Sequence, residues 1–474
     1  MSNQETSSTA ASLPDYITSA TANPASNRAP WFKNTAPTYA GIFLWFVFWQ
    51  DAVTAPSLGG ALSAGVGWAL LSLVLAALVC HFFFYLVPGL LGQKTGLPLY
   101  IVGTSTFGAQ GGFLMPGFLM GLLQFGWLGV NVYFSSMALA AVIPLPPQLL
   151  MVAWGVLAAF VGLKGIQYVA RVATWLPLIP LGILLTLFLS TAGALGSFDA
   201  TKLVDAHRAV TPDAAPALSA LGVLAFVLTY VVGFFATAGA AGVDFGTNSR
   251  DGNDVRMGGL VGIAAAIVFT AGLCALIVAG AYGSASTTEQ AVAAGKAAGG
   301  FILNPVNLIP VILGPTAFKW MAFLLAVAAF PSACFSAFIA ANSFKTTLPK
   351  VNPFVSVGIG AAISIVLAVT GLAGRVVPVF VIIGASFGPI CGAMFVDYLM
   401  NQGTWTGPRR GFNPAGWIAW AVGFVIGILP NLGVAVPAAP VLAFVAGALV
   451  YWLCAKAGLL SPVVPLPKAA TATA

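Results

Sequence analysis

Charge is what this chain has least of. Asp, Glu, Lys and Arg make up 6% of its 474 residues, while hydrophobic residues make up 59%. A soluble globular protein carries roughly 25% charged residues, so a set of soluble domains is excluded. Histidine is scarcer still, with only two residues. At membrane depth only His81 and Asp51 could serve catalysis, and there is no HExxH or similar ligand pair. An intramembrane enzyme therefore lacks its nucleophile–base pair or metal cluster, and no cofactor is implied. The five cysteines (Cys80, Cys274, Cys334, Cys391 and Cys454) fall within or beside apolar segments. Their spacing suggests neither a metal site nor a disulfide framework, and free Cys of this kind packs as a small buried residue. The net charge of +7 is spread singly or in pairs over loops, so it does not mark a nucleic-acid partner. The first ~35 residues lack the basic start and short apolar core of a signal peptide.

What the chain has in quantity is apolar length. A spanning helix needs about 20 apolar residues. Twelve segments qualify: 39–65, 66–92, 113–141, 149–167, 169–191, 217–243, 256–283, 317–343, 353–373, 376–400, 412–432 and 435–456. They predict one all-α polytopic domain over 39–456, embedded in a lipid bilayer. A polar stretch over 1–38 reads as a disordered tail, and 457–474 as a second tail. The linker 284–316 has room for a short surface helix. With the N-terminus inside, only Lys202, Arg208, Lys296, Lys319 and Arg375 fall outside, leaving thirteen of the 18 Lys and Arg inside. The positive-inside rule then places both termini in the cytoplasm, in the cell (inner) membrane. The 54 glycines suit close helix packing and helix breaks.

Asp51 stands out. No other long apolar run carries an acidic residue so far from its ends, and a carboxylate at membrane depth costs about 2.5–3.5 kcal/mol even on the lenient insertion scale. Pro56, Gly59 and Gly60 follow it, and a helix loses a backbone bond at proline. Irregular backbone cannot face lipid, so a break here predicts a cavity-lining first span. The sixth segment holds Gly233, Gly239 and Gly242 in mid-span. A break within 232–242 is one reading, and close packing is the other. First and sixth spans lie four helices apart, the spacing of two inverted five-helix repeats with discontinuous first helices. The repeats would cover about 39–191 and 217–400, with two extra helices over 412–456.

Several segments resemble a known family. Thr95-Gly96-Leu97, Ser105-Thr106-Phe107-Gly108 and Gln124-Phe125-Gly126-Trp127 are similar to the bacterial cytosine permeases. So are Gly239 to Phe245 with Arg250, and Gly388-Pro389 followed by Asp397-Tyr398-Leu399-Met400-Asn401. These permeases form the purine–cytosine branch of the nucleobase:cation symporter family. The resemblance implies a leucine-transporter-type fold and a secondary active transporter that imports a base with Na⁺ or H⁺ by alternating access. A carrier of another small heterocycle, such as a hydantoin or an allantoin-like compound, is the alternative. The protein would function as a monomer. The resemblance also implies that Trp127 and Phe235 sandwich the base and that Gln124 reads its edge. Stacking suits a planar ring, and an amide offers both donor and acceptor.

The chain also departs from the family. Pro331-Ser332 stands where these permeases have two hydroxyl residues, so only Ser332 remains of the pair that would hold sodium. Ser336, one turn on, is a replacement, and Pro331 frees a carbonyl one turn earlier. No metal other than a coupling Na⁺ is implied. Asp51 has three readings: an oxygen ligand for Na⁺, a proton carrier, or a cap accepting N–H bonds from Val53 or Thr54. Asp244 and Asp397 lie near basic loops at span ends and read as caps or as partners of Arg250, Arg409 or Arg410.

Overall fold

Ten helices are each long and apolar enough to cross a bilayer in the computed structural model, which describes residues 13–466. They are Val66–Thr95, Phe113–Ala140, Pro147–Lys164, Ile166–Ser197, Ala220–Ala240, Gly252–Gly283, Pro315–Thr347, Val376–Met400, Pro414–Leu432 and Ala439–Lys456. Pro353–Val369 is a shorter apolar helix between the eighth and tenth spans. The first span is split into Thr35–Leu44 and Phe46–Gln50. The total is the twelve that the apolar segments predict, and the chain is an integral membrane protein. Among the described residues there is no strand, only isolated bridges. The third span packs along the eighth, the sixth along the tenth, and the tenth against the last two.

The first span breaks, but not where Pro56 and the glycines point. The break is at Trp45, whose extended backbone (φ −60°, ψ 123°) separates the two half-helices. No Pro or Gly causes it. Side chains take up open carbonyls on either side of it. Trp49 Nε1 donates to Leu44 O at 3.0 Å. The Tyr230 hydroxyl of the sixth span lies 3.1 Å from Val47 O and 2.6 Å from Phe48 O. Lipid would leave those carbonyls unsatisfied, at several kcal/mol each. Gly59 and Gly60, at φ 73° and 56°, shape the turn after the span. A Cβ at Gly60 would stand 2.3 Å from Val53 O.

The sixth span is interrupted only at Ala241, at the end of the expected window, and a short helix Gly242–Gly246 follows. Its mid-span glycines serve packing. A Cβ at Gly233 would lie 2.6 Å from Phe380 O, and one at Gly239 would lie 2.9 Å from the Phe84 Cβ. Here the close-packing reading wins over the mid-span break.

The N-terminal segment needs a correction. Residues 13–34 are not a free tail but a strap across the face that carries both chain ends. The Tyr16 hydroxyl donates to Ala109 O. Asn23 N donates to Gly96 O at 2.9 Å, and Asn23 Nδ2 to Thr247 O at 3.0 Å. Arg28 reaches Gln93 O at 2.9 Å. These polar side chains find backbone partners on two loops, which composition alone does not show. The C-terminal stretch is likewise tied down, with Val464 N donating to Pro408 O at 2.8 Å. Residues 1–12 and 467–474, expected to be tail, lie outside the described residues.

On the opposite face, helices Ala200–Val210, Ala285–Ala298 and Pro305–Ile312 cover the bundle. His207 Nδ1 accepts Gly59 N–H at 3.0 Å, and its ring stacks on Phe301 with centroids 4.4 Å apart.

The glycine contact between the sixth and tenth spans makes a direct prediction. Gly233→Ala should lower stability by about 1–3 kcal/mol, the range for overpacking, read as a fall in Tm in detergent. Gly182→Ala, with nothing within 4 Å of its Cβ, should leave Tm unchanged or raise it.

Candidate functional site

Four aromatic rings from four different spans meet beside the first-span break. Trp127 of the third span lies edge-on to Phe234 of the sixth, centroids 5.0 Å apart at 78°. Phe380 of the tenth span is 5.6 Å from Trp127 and 5.4 Å from Phe234. Trp45, the break residue, is 5.9 Å from Trp127 and 6.3 Å from Phe234. Trp127 Nε1 donates to Thr237 Oγ1 at 3.1 Å, which fixes the rotation of its ring. A planar ring held on both faces needs about 7 Å between its walls, twice the ~3.5 Å carbon contact. The rings touch one another here, so a guest must part them.

Gln124 sits one turn before Trp127 and shares its helix face. It is buried, and among the described residues its side chain makes a single hydrogen bond, from Nε2 to Met120 Sδ at 3.6 Å. A thioether is a weak acceptor, so the amide is free to serve a better partner.

The expected pairing of Trp127 with Phe235 is not seen. Phe235 is fully buried on the other side of its helix, stacked on Phe43 at 5.8 Å and tilted against Tyr39 at 5.9 Å. Phe234 takes the position against Trp127. Adjacent helical residues point about 100° apart, so an offset of one residue moves a ring off the site. Thr237 marks the right phase: it lies three residues after Phe234 and shares that face. Sequence reasoning also missed Trp45 and Phe380: neither lies in a motif, and only tertiary packing brings them to Trp127.

Asp51, Ser332 and Ser336 are not brought together by hydrogen bonds. Asp51 ends the second half-helix, about 9 Å along the axis from Trp45 at 1.5 Å per residue, not at the break. Its side chain accepts no N–H from Val53 or Thr54; Asn304 Nδ2 donates to Oδ1 at 2.9 Å and Gln50 Nε2 to Oδ2 at 3.2 Å. Asn304 also caps Pro305–Ile312 through its own oxygen, 2.8 Å from Val306 N. The carboxylate is thus buried, bonded to two neutral amides, and tied to the face opposite the termini. In the eighth span Ser336 Oγ donates to Ser332 O at 3.0 Å. Asn131 of the third span holds Ala329 O at 2.9 Å, in the turn before Pro331.

Asp397 and Asp244 do structural work near the face of the termini. Asp397 accepts from the Ser105 and Tyr451 hydroxyls, each at 2.8 Å, and lies 3.7 Å from Arg409 Nη2. Asp244 Oδ1 accepts Leu99 N–H at 2.9 Å, capping a helical turn. Arg250 pairs with Asp254 instead, at 2.7 Å.

Comparison with known proteins follows the same lines. No family model matches the chain. The cytosine permeases of Escherichia coli O157:H7 and of strain K12 are each 26% identical to it over 317 residues, 66% of this chain and 66% of theirs. The resemblance to cytosine permeases holds. Among solved structures, the inward-facing conformation of Mhp1 has a TM-score of 0.65 at 16% identity, covering 96% of this chain and 97% of that one. Mhp1, a nucleobase-cation-symport-1 family transporter, closed with bromovinylhydantoin bound, has a TM-score of 0.59, covering 95% and 97%. A substrate-bound, outward-open Na⁺-coupled sialic acid symporter has a TM-score of 0.56 at 12% identity, covering 96% and 94%. The fold is the leucine-transporter type, with two inverted five-helix repeats and two added C-terminal helices.

The Asp397 network makes a stability prediction. Removing one member of a buried ion pair costs about 3–5 kcal/mol. Asp397→Ala should fall at the lower end, because Arg409 keeps Ser105 O and Ser461 O as acceptors, both at 2.9 Å. The loss would be read as reduced Tm or reduced folded protein in the membrane.

Proposed function

We propose that this protein is a secondary active symporter that takes up a nucleobase, or a closely related planar heterocycle, with a cation by alternating access. The observation that carries the reading is the ring cluster of Trp127, Phe234 and Phe380 with the uncommitted amide of Gln124 beside it. Parted rings offer two apolar faces to a flat heterocycle, and the amide offers donor and acceptor to its edge. The cytosine permeases similar to this chain support the substrate class. Trp127 and Phe234 are the stacking walls in this reading, and Phe235 supports the first half-helix through Phe43. The membrane is the cell membrane, with both termini cytoplasmic, as the Lys and Arg bias supports.

The coupling cation is assigned to Asp51. Na⁺ is a hard cation that takes oxygen ligands, and a proton would neutralise the same carboxylate; either competes with Asn304 for Oδ1. Ion occupancy is then read by helix Pro305–Ile312 on the outer face. Ser332, Ser336 and the carbonyl freed by Pro331 form a second set of oxygens on the eighth span, available to a sodium ion.

Uptake into proteoliposomes of labelled cytosine, uracil, adenine, hypoxanthine and hydantoin tests this, with and without a Na⁺ gradient and at two external pH values. Accumulation of at least one compound against its gradient is expected. Failure of every compound to exceed empty vesicles would refute the reading. Asp51→Asn should abolish ion-driven accumulation while leaving binding of the base within a few-fold. Unchanged pH-driven uptake in that variant would rule out the proton form.

A further inference from the structure

Trp45 carries a buried donor at the ring cluster that has nothing to bond. Its indole Nε1 is buried, and no acceptor reaches it among the described residues. An indole N–H is a donor only, and a buried donor left unmade is destabilising. Native proteins bury few such groups, and each calls for an explanation. The Trp127 indole, by contrast, is committed to Thr237 Oγ1. Trp127 can therefore offer a guest its face but not its N–H.

Position separates Trp45 from the other orphaned indole. Trp154 Nε1 also lacks a partner, but its ring packs on Phe330 at 5.0 Å, outside the four-ring cluster. Trp45 touches both Trp127 and Phe234, the two walls that must part for a flat guest. It also sits where the first span is not helical, so its orientation is set by the break rather than by helical phase. Its own backbone is occupied: N donates to Ile42 O at 3.3 Å and O accepts Phe48 N–H at 2.9 Å. Only the side-chain donor is free.

We infer that Trp45 Nε1 is a specificity-determining donor, which bonds an acceptor on the edge of the bound heterocycle when the Trp127 and Phe234 rings open around it. The acceptor is an exocyclic carbonyl oxygen of a nucleobase or a similar lactam. The inference rests on the proposed nucleobase transport and adds what that reading leaves open. Gln124 supplies a donor and an acceptor and can turn its amide to suit either edge pattern. A fixed indole N–H cannot turn. It favours a carbonyl at one place and leaves a buried donor unmade when the carbonyl is missing. Sites of this kind discriminate strongly against analogues that lack the partner group.

The test compares pairs that differ by one carbonyl: cytosine against 4-aminopyrimidine, uracil against 4-pyrimidinone, and hypoxanthine against purine. Each is measured as an inhibitor of labelled-base uptake in proteoliposomes, with the unaltered protein and with Trp45→Phe. The unaltered protein should prefer the carbonyl member of its cognate pair by at least about tenfold. Trp45→Phe should weaken that member about tenfold, leave its partner within about twofold, and so collapse the preference. Should Trp45→Phe not accumulate in the membrane, benzothienylalanine at position 45 makes the same comparison, keeping the bicyclic shape and replacing N–H by sulfur. Equal weakening of both members, or no change in either, would overturn the inference and leave base transport standing. Absence of uptake of every base by the unaltered protein would overturn the transport reading, and this inference with it.

Discussion

The structure depends on how one broken helix satisfies its backbone. A spanning segment cannot leave carbonyls bare at membrane depth, yet the first span leaves helical geometry at Trp45 without a proline or glycine. It can do so because partners are already in place. Trp49 reaches back to Leu44 O from one turn on, and Tyr230 reaches across from the sixth span to Val47 O and Phe48 O. The half-helix past the break is thus anchored by a tertiary interaction between the first helices of the two repeats. The break turns the Trp45 ring toward the third and sixth spans, and the ring cluster follows from that.

The sixth span has to come very close to the tenth for the cluster to form. Gly233 permits it, since any Cβ there would meet the Phe380 carbonyl. That approach carries the Phe380 ring to within 5.6 Å of Trp127 and 5.4 Å of Phe234. Tyr230, one turn before Phe234 on the same helix, lies 5.2 Å from Phe380 while its hydroxyl holds the broken span. One helix face therefore joins the break, the glycine contact and the rings. A change at Gly233 would reach all three.

Much of this was legible in the residues, for physical reasons that also mark the limits. Apolar length is a property of each segment alone, so the twelve spans could be counted from it. Gln124 and Trp127 are three residues apart on one helix, so their shared face could be read directly. The break at Trp45 could not, because the carbonyls just past it are satisfied by Tyr230, some 180 residues away in sequence. Pro56, Gly59 and Gly60 were a strong local signal for irregular backbone and do produce it, but in the turn after the span. Phe235 differs from Phe234 by a single step of helical phase, which a matching motif does not resolve. Thr237 does resolve it, once the need of the Trp127 N–H for an acceptor is considered. The strap over 13–34 looked free because polar composition records no partner, and here the partners are backbone carbonyls of two distant loops.

Asp51 illustrates how a charge can be tolerated without an opposite charge. Its two bonds come from amides of Gln50 and Asn304, which are neutral donors. Amides solvate a carboxylate but do not cancel its charge, which is what the proposed ion role of Asp51 requires. Asn304 Oδ1 is at the same time the cap of Pro305–Ile312. In the proposed coupling, an ion that takes Oδ1 would free the Asn304 amide, and the capping oxygen on the same group would feel the change. A ligand can shift a conformational equilibrium only by its differential affinity for the two states. In that proposal the difference would arise from Asn304, one side chain that serves both Asp51 and helix Pro305–Ile312. If the carboxylate carries the ion, coupling does not require the hydroxyl pair that the family resemblance implies and of which only Ser332 is present. It requires that Asn304 cannot bond Asp51 and yield it to the ion in the same state.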